Sequence, residues 1–542
     1  MHRTRFSLST LPLILLVGLL ALPVLALLAS WLPWGVVQAD TGAILREMAS
    51  TVLPGYVWTT LWLGLWVAVG AAVVGTATAA AVTLFEFPGR RVFEWLLLLP
   101  LAMPAYVTAY AYTDFLQFSG PLQVGLRETF GLEGRLLPEV RSLWGAIWVF
   151  TFSLYPYVYL LARTALGERA AHLMEAARLL GAPLSRRITS IALPLARPAV
   201  AAGVALALME TLADFGVTSY FGIQTFTTGI IKAWLSMDNR IAAAQLSTML
   251  LALVLVLLWL EHRAERRMRF TAKGTGHAGA TEAQPVPLRG LARGLAWGVC
   301  TLPVFMGFVA PVAFMLRPLA SDWSVLPWSR FLEWAWNSVR LGGITAGLAV
   351  AVALALAFAV RRRPDLLTRG VVRLASVGYA VPGAVIVVGL LLPVGWVQAH
   401  FPHWGVGALV TTTAVGIVWA YLVRFCAVAL QSVQSGYARI PASLDDSARM
   451  LGAGSARLMA NVHWPLLRRS TAAAALLVFV DVMKELPATM VLRPFNSDTL
   501  AVVAYQLARD ERLGEAALPS LALVAVGLVP VILLSRTLRS RH

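Results

Sequence analysis

The side chains best suited to chemistry in this sequence are acidic and sit in apolar surroundings. Glu210 and Asp214 are four residues apart, and Asp481 and Glu485 repeat that spacing. On a helix the members of each pair would share one face. Ionised groups in hydrocarbon cost about 2.5–3.5 kcal/mol each on insertion scales, so those that persist mark paths or partners. Two matched pairs suit the translocation pathway of a cationic substrate, or a proton relay. Each pair equally suits a helix-end cap or an ion pair with a neighbour such as Lys484 or Arg493. His400 and His403 are close in sequence, but two imidazoles in a polar loop fall short of a metal ligand set, and the metal assignment stays unknown. Cys300 and Cys426 lie in apolar stretches without CxxC spacing and read as small core residues. None of the three lysines, Lys232, Lys273 and Lys484, follows a G-x-x-x-x-G frame, and no HExxH pattern occurs. No catalytic residue is assigned, and the chain is not read as an enzyme.

The elements that must position these groups are set by composition. Of 542 residues 58% are apolar and only 13% charged, about half the usual charge of a soluble domain, and the mean hydropathy is +0.73. The formal charge of +17 therefore points to a membrane. Its cations fall in short clusters between apolar runs, as topology signals do, and not beside stacking aromatics, as in a nucleic-acid reader. About 20 apolar residues cross the roughly 30 Å hydrocarbon core as a helix. Twelve such runs are expected, at 11–34, 56–84, 93–117, 143–166, 199–220, 242–261, 294–316, 338–360, 372–396, 405–430, 471–492 and 517–535. The first follows Arg3 and Arg5 and is too long for a signal core, so it reads as a retained anchor helix. Most of the 44 Lys and Arg fall on the side that holds residues 163–198, 261–293 and 424–470, which makes that side, and both termini, cytoplasmic.

The resulting organisation is an all-α polytopic membrane protein. Residues 1–55 form the anchor helix and an outer loop, 56–262 a first transmembrane domain, 263–293 a cytoplasmic linker, 294–333 the seventh span and its outer loop, and 334–536 a second transmembrane domain. The linker opens on the basic run His262, Arg263, Arg266, Arg267, Arg269 and reads as a solvated connector that also enforces orientation.

The two domains are copies. Glu175-Ala-Ala, three residues, Gly181, nine residues, Ile191-Ala-Leu-Pro194 returns 271 residues later as Asp446-Ser447-Ala448, Gly452 and Val462-His-Trp-Pro465. The same spacing relates Glu210 to Asp481 and Asp214 to Glu485, while a spacing of 278 relates Gly64 to Gly342 and Pro104 to Pro382. Each copy starts on the same side of the membrane, so the copies are two parallel six-helix repeats, for which a pathway at their interface is expected. Both frames fall in long inner loops, 167–198 and 436–470. There a short helix of strong formers should end at Gly181 in a left-handed turn, Pro183 should open a second helix, and Pro194 should stop it.

The E-A-A-x-x-x-G-x9-I-x-L-P frame resembles that of the permease subunits of type I ABC importers, and the resemblance covers both halves. It implies that each loop docks an ATPase subunit. The first site would comprise Glu175, Ala176, Ala177, Gly181, Ile191 and Pro194. The second would comprise Asp446, Ser447, Ala448, Gly452, Val462 and Pro465, a looser match in which Trp464 also departs from the pattern. Glu210-Thr-Leu-Ala-Asp-Phe-Gly with its continuation to Gly229, and Lys484-Glu-Leu-Pro-Ala-Thr with Leu492-Arg-Pro-Phe-Asn, are similar to the fused permeases of ferric-iron importers. That similarity implies inward transport of Fe(III) delivered by a periplasmic binding protein. Two ATPase copies would use ATP and Mg, with no cofactor on this chain, in a bacterial inner membrane. Thiamine or polyamine importers, and a proton-coupled secondary transporter, remain alternatives.

Overall fold

The computed structural model describes residues 11–31, 41–167, 171–272, 285–321, 323–324, 326–362, 365–376 and 378–539. Arg3, Arg5 and the middle of the expected linker, Lys273 included, lie outside the described residues. Among those described, ten helices are long and apolar enough to cross a membrane, or eleven if Arg90–Ala102 and Ala105–Phe130 count as one broken span. Several of the twelve expected spans are interrupted, among them 199–220 after Ala213 and 405–430 at Thr413, and in three of them side-chain chemistry explains the break. The span at 93–117 is bent by 88° where Pro104 takes an extended conformation ahead of the next helix. The span at 372–396 is broken by the turn at Gly378–Ala380 and restarts after Pro382, leaving Gly383–His400 to cross. The span at 471–492 ends at Lys484 and resumes as Pro487–Leu492. Its main helix, Trp464–Lys484, has 21 residues but carries Arg468, Arg469, Asp481 and Lys484.

The linker is shorter than its basic run suggested. Residues 261–272 contain neither Gly nor Pro, and the Arg240–Ala272 helix continues through them. Beyond it, Val286–Pro287 pairs in parallel with Phe85–Glu86, the Leu288 amide donates to the Glu86 carbonyl at 3.0 Å, and the Trp297 indole donates to the Pro88 carbonyl at 3.0 Å. This end of the connector is thus tied down.

Two compact units are present, and neither is a sequential half. One holds Met1–Met48, Ile230–Leu251 and Trp328–Val502; the other holds Ala49–Gly229, Ala252–Pro327 and Val503–His542. The first is built on Trp328–Arg362, Ala414–Tyr437 and Trp464–Lys484, which pack together, with Leu11–Ala29 laid along Gly383–His400. At that crossing Gly389 lies against the Pro23 carbonyl, leaving no room for a Cβ, and the Trp419 indole donates to the Leu19 carbonyl at 3.0 Å. The second unit repeats the trio with Leu53–Leu84, Leu143–Ala165 and Leu193–Ala213. Gly75 and Gly203 let their helices approach Val158 closely, the small-residue packing expected where lipid supplies no hydrophobic drive between helices. The 291–321 helix from the later half packs in this unit, where the Tyr112 hydroxyl donates to the Met306 carbonyl at 2.7 Å. Each unit therefore contains helices from both halves of the sequence.

Candidate functional site

The two inner loops are built alike, residue for residue. Ala171–Leu179, Leu184–Arg187, Ile188–Ala192 and Leu193–Ala213 recur as Ala442–Met450, Ser455–Leu458, Met459–His463 and Trp464–Lys484. Every boundary is displaced by the same 271 residues. The first helix of each loop ends as expected. Gly181 and Gly452 have φ of +79° and +80°. Their amides donate to the Arg178 and Arg449 carbonyls at 2.9 Å, and the Ala182 and Ala453 amides reach back to the Ala177 and Ala448 carbonyls at 2.9 Å. This is a Schellman closure, which satisfies carbonyls left over at a helix end.

Pro194 and Pro465 do not stop the second helix, contrary to expectation. The chain stays helical from Leu184 to Ala213, because a π-helical turn at Ile188–Ala192 lies directly before the proline, and Met459–His463 repeats it. The wider turn relieves the clash between the proline ring and the preceding turn, and the missing N–H falls where the hydrogen-bond pattern is already changing. As a result each loop helix continues directly into a span, so displacement of the loop is carried into the span.

The motif residues divide by exposure. Glu175 is half-exposed and Asp446 exposed, and each faces an arginine one turn on, Arg178 and Arg449, at 3.7 Å; such pairs contribute little to stability. Ala176 and Ser447 are exposed, Ala177 and Ala448 half-buried, Ile191 and Val462 half-buried, and Pro194 half-buried where Pro465 is exposed. Motif reading missed the residues just before each glycine. Leu179 and Leu180 are 83% and 87% exposed, and Met450 and Leu451 are 89% and 87% exposed. Two large apolar side chains therefore stand exposed at each loop tip, in both copies. The available signal was an apolar pair preceding a helix-ending glycine in a cytoplasmic loop.

The carboxylates are arranged differently from a shared helix face. Both helices end one residue early: Asp214 and Glu485 are extended, with ψ of 131° and 126°. Asp214 Oδ1 accepts from the Val217 amide at 2.8 Å and so caps Gly216–Tyr220. Glu485 Oε1 accepts from the Ala488 amide at 3.0 Å, and Oε2 accepts from the Thr489 amide at 2.9 Å and its hydroxyl at 2.7 Å, capping Pro487–Leu492. The Glu485 side chain is 1% exposed and pairs with Arg424 at 3.3 Å. Ser153 holds the position equivalent to Arg424 in the first copy. Glu210 and Asp481 are half-buried on the last turn of each helix. His400 engages the Trp396 carbonyl at 2.9 Å through Nδ1 and stacks on the Trp396 ring, and His403 lies in the adjoining turn. Among the described residues no group of three or more His, Cys, Asp or Glu is placed to hold a metal. Cys300 and Cys426 are buried and unbridged.

A duplicated membrane bundle whose spans grow out of paired inner loops points to a class of protein. Residues 71–270 match the family described as "Binding-protein-dependent transport system inner membrane component". The chain therefore resembles, over the first copy of its repeat, the permeases of binding-protein-dependent ABC importers, whose type I fold its helices share. It is similar to the Fe(3+)-transport system permease protein FbpB 2 of Haemophilus influenzae, at 27% identity over 484 residues and 88% of each chain. The ferric transport system permease protein FbpB of Actinobacillus pleuropneumoniae is 22% identical over 494 residues, 86% of this chain and 68% of its own. The sulfate transport system permease protein CysT of Salmonella typhimurium is 28% identical over 215 residues, 38% of this chain and 73% of its own. With its ten or eleven apolar helices among the described residues, the chain is a multi-pass membrane protein.

Proposed function

We propose that this permease carries Fe(III) inward across a bacterial inner membrane, receiving it from a periplasmic binding protein and driven by two copies of an ATPase subunit. The observation that carries the coupling reading is the pair of exposed apolar tips, Leu179-Leu180 and Met450-Leu451, each on a helix continuous with a span. ATP and Mg act on the ATPase, and this chain supplies neither a cofactor nor a catalytic residue. Glu175, Ala176, Ala177, Gly181, Ile191 and Pro194, with Asp446, Ser447, Ala448, Gly452, Val462 and Pro465, shape the two docking surfaces on the cytoplasmic side, where both termini also lie.

The iron reading is supported by similarity over most of the chain to two permeases named for ferric transport. The match to a sulfate permease is confined to about one copy of the repeat. In this reading Glu210 and Asp481 offer carboxylates to a hard cation along the pathway, while Asp214 and Glu485 hold the helix breaks beside them. The test is radiolabelled Fe(III) uptake in cells lacking the gene, restored by this chain together with its ATPase and binding protein. Restored uptake, undiminished by excess thiamine or spermidine, is the expected result. Membrane-inserted chain with its partners and no gain in uptake overturns iron as the substrate.

A further inference from the structure

The two docking loops share a backbone but are anchored by opposite chemistry. In the second loop Asp445 is 4% exposed in the first turn of Ala442–Met450. Its carboxylate receives Arg361 Nε at 2.8 Å and Nη2 at 3.3 Å. The same guanidinium donates to the Ile440 and Pro441 carbonyls at 2.9 Å, so it grips both the carboxylate and the backbone that leads into the helix. On its other side Asp445 Oδ1 lies 3.0 Å from Nε2 of His463, which is fully buried in the π turn. His463 Nδ1 lies 3.2 Å from the Tyr437 hydroxyl. Because a carboxylate paired with Arg361 can only accept, the His463 proton belongs on Nε2, and Nδ1 faces the tyrosine. The Phe358 ring closes the site edge-on to the imidazole at 5.5 Å. One buried network therefore ties together the ends of the Trp328–Arg362 and Ala414–Tyr437 helices, the docking helix and the root of the following span.

None of this exists in the first loop. The residues 271 positions earlier are Met174 for Asp445, Ala192 for His463 and Leu166 for Tyr437, all buried within one apolar cluster. Thr83 stands 278 positions before Arg361, its hydroxyl buried without a hydrogen-bond partner among the described residues. Apolar contact is non-directional and tolerates sliding, whereas charge-assisted hydrogen bonds fix distance and angle.

We propose that Arg361, Asp445, His463 and Tyr437 are positioning residues that form a strut, making the second docking loop a rigid lever on its spans while the first remains a compliant seat. The two ATPase contacts are then mechanically unequal, and the substrate-moving stroke depends on the second. This inference rests on the coupling reading above.

The test uses the full chain reconstituted in proteoliposomes with its ATPase and binding protein, reading ATP hydrolysis, ATPase copurification and Fe(III) uptake together. Asp445→Asn and His463→Gln are expected to keep copurification and basal hydrolysis within about twofold while uptake per ATP falls about tenfold, the scale of coupling between distant sites. The charge-swapped double variant Arg361→Asp with Asp445→Arg should recover part of that loss, and Met174→Leu in the first loop should leave uptake per ATP unchanged. Tyr437→Phe, which keeps the ring and removes the hydroxyl, should lower uptake per ATP about threefold, and it decides the matter if the other variants fail to fold. Unchanged uptake per ATP in assembled Asp445→Asn or Tyr437→Phe overturns the strut. So does a parallel fall of hydrolysis and uptake, which is what a merely structural role gives. If the wild-type chain takes up no Fe(III), stimulation of hydrolysis by the binding protein replaces uptake as the readout. If the wild-type chain fails to retain any ATPase, the coupling reading itself falls.

Discussion

At Gly181 and Gly452 no atom lies within 4 Å of where a Cβ would stand, so only the backbone resists substitution there. A left-handed conformation costs an ordinary residue about 1–2 kcal/mol, more for a β-branched one and less for Asn. Gly181→Asn should therefore retain at least half of the Fe(III) uptake, whereas Gly181→Val should lose most of it while immunoblots show the protein in the membrane at normal level. Equal uptake by the two variants would show that the turn does not matter for coupling. Asp445 gives a pH prediction. Burial opposes its ionisation, yet the hydrogen bonds from Arg361 and His463 outweigh that and hold the carboxyl below its usual value of 3.8. A depressed carboxylate stabilises the fold above its unfolded pKa, and that contribution disappears as pH falls through the folded value. Asp445→Asn should be less stable than wild type by about 1–3 kcal/mol at pH 7, a gap that narrows below about pH 4, as thermal unfolding in detergent at a series of pH values would reveal.

The twin loops show what pattern can and cannot disclose. The 271-residue spacing foretold the twin loops, because duplication preserves turn-forming Gly181 and Gly452 and the elements between. It could not foretell the π turns before Pro194 and Pro465, since a proline in sequence reads as a stop and only the surrounding span decides whether the helix yields instead. Nor could spacing place Asp214 and Glu485: i, i+4 carboxylates signal a shared face only while the helix persists, and here each acid terminates its helix by capping the next. Buried partners far along the chain, Arg361 for Asp445 and Arg424 for Glu485, leave no local mark at all. The exposed tips make a prediction at this scale. Leu179→Ser with Leu180→Ser, or Met450→Ser with Leu451→Ser, removes apolar anchors worth about 2 kcal/mol each at an interface. Either pair should weaken ATPase copurification at least about tenfold without altering membrane insertion, because these side chains contact little of their own protein. Undiminished copurification would move the docking surface elsewhere on the loop.

For the molecule as a whole, the exchange of helices between the halves outweighs the covalent linker. Leu11–Ala29 belongs with Gly383–His400, and the 291–321 helix with Leu53–Leu84 and the Ala105–Leu116 helix. A chain cut within 273–284 and expressed as two fragments, 1–272 and 285–542, should therefore reassemble, since each compact unit needs pieces of both. Affinity capture of one fragment from membranes should recover the other. Recovery of either fragment alone, folded and stable, would mean the exchanged helices are accessories.

The same exchange sets a timetable for biosynthesis. Leu11–Ala29 leaves the ribosome roughly 350 residues before Gly383–His400, which at about 5–20 residues per second is a wait of about 20 to 70 s. Throughout that interval the first helix sits in lipid with the Pro23 region that Gly389 will later cover turned to acyl chains or to a chaperone. The newborn chain is thus open to quality-control proteases until Gly383–His400 is made, and the surface that Gly389 later closes is the one such a protease would sample.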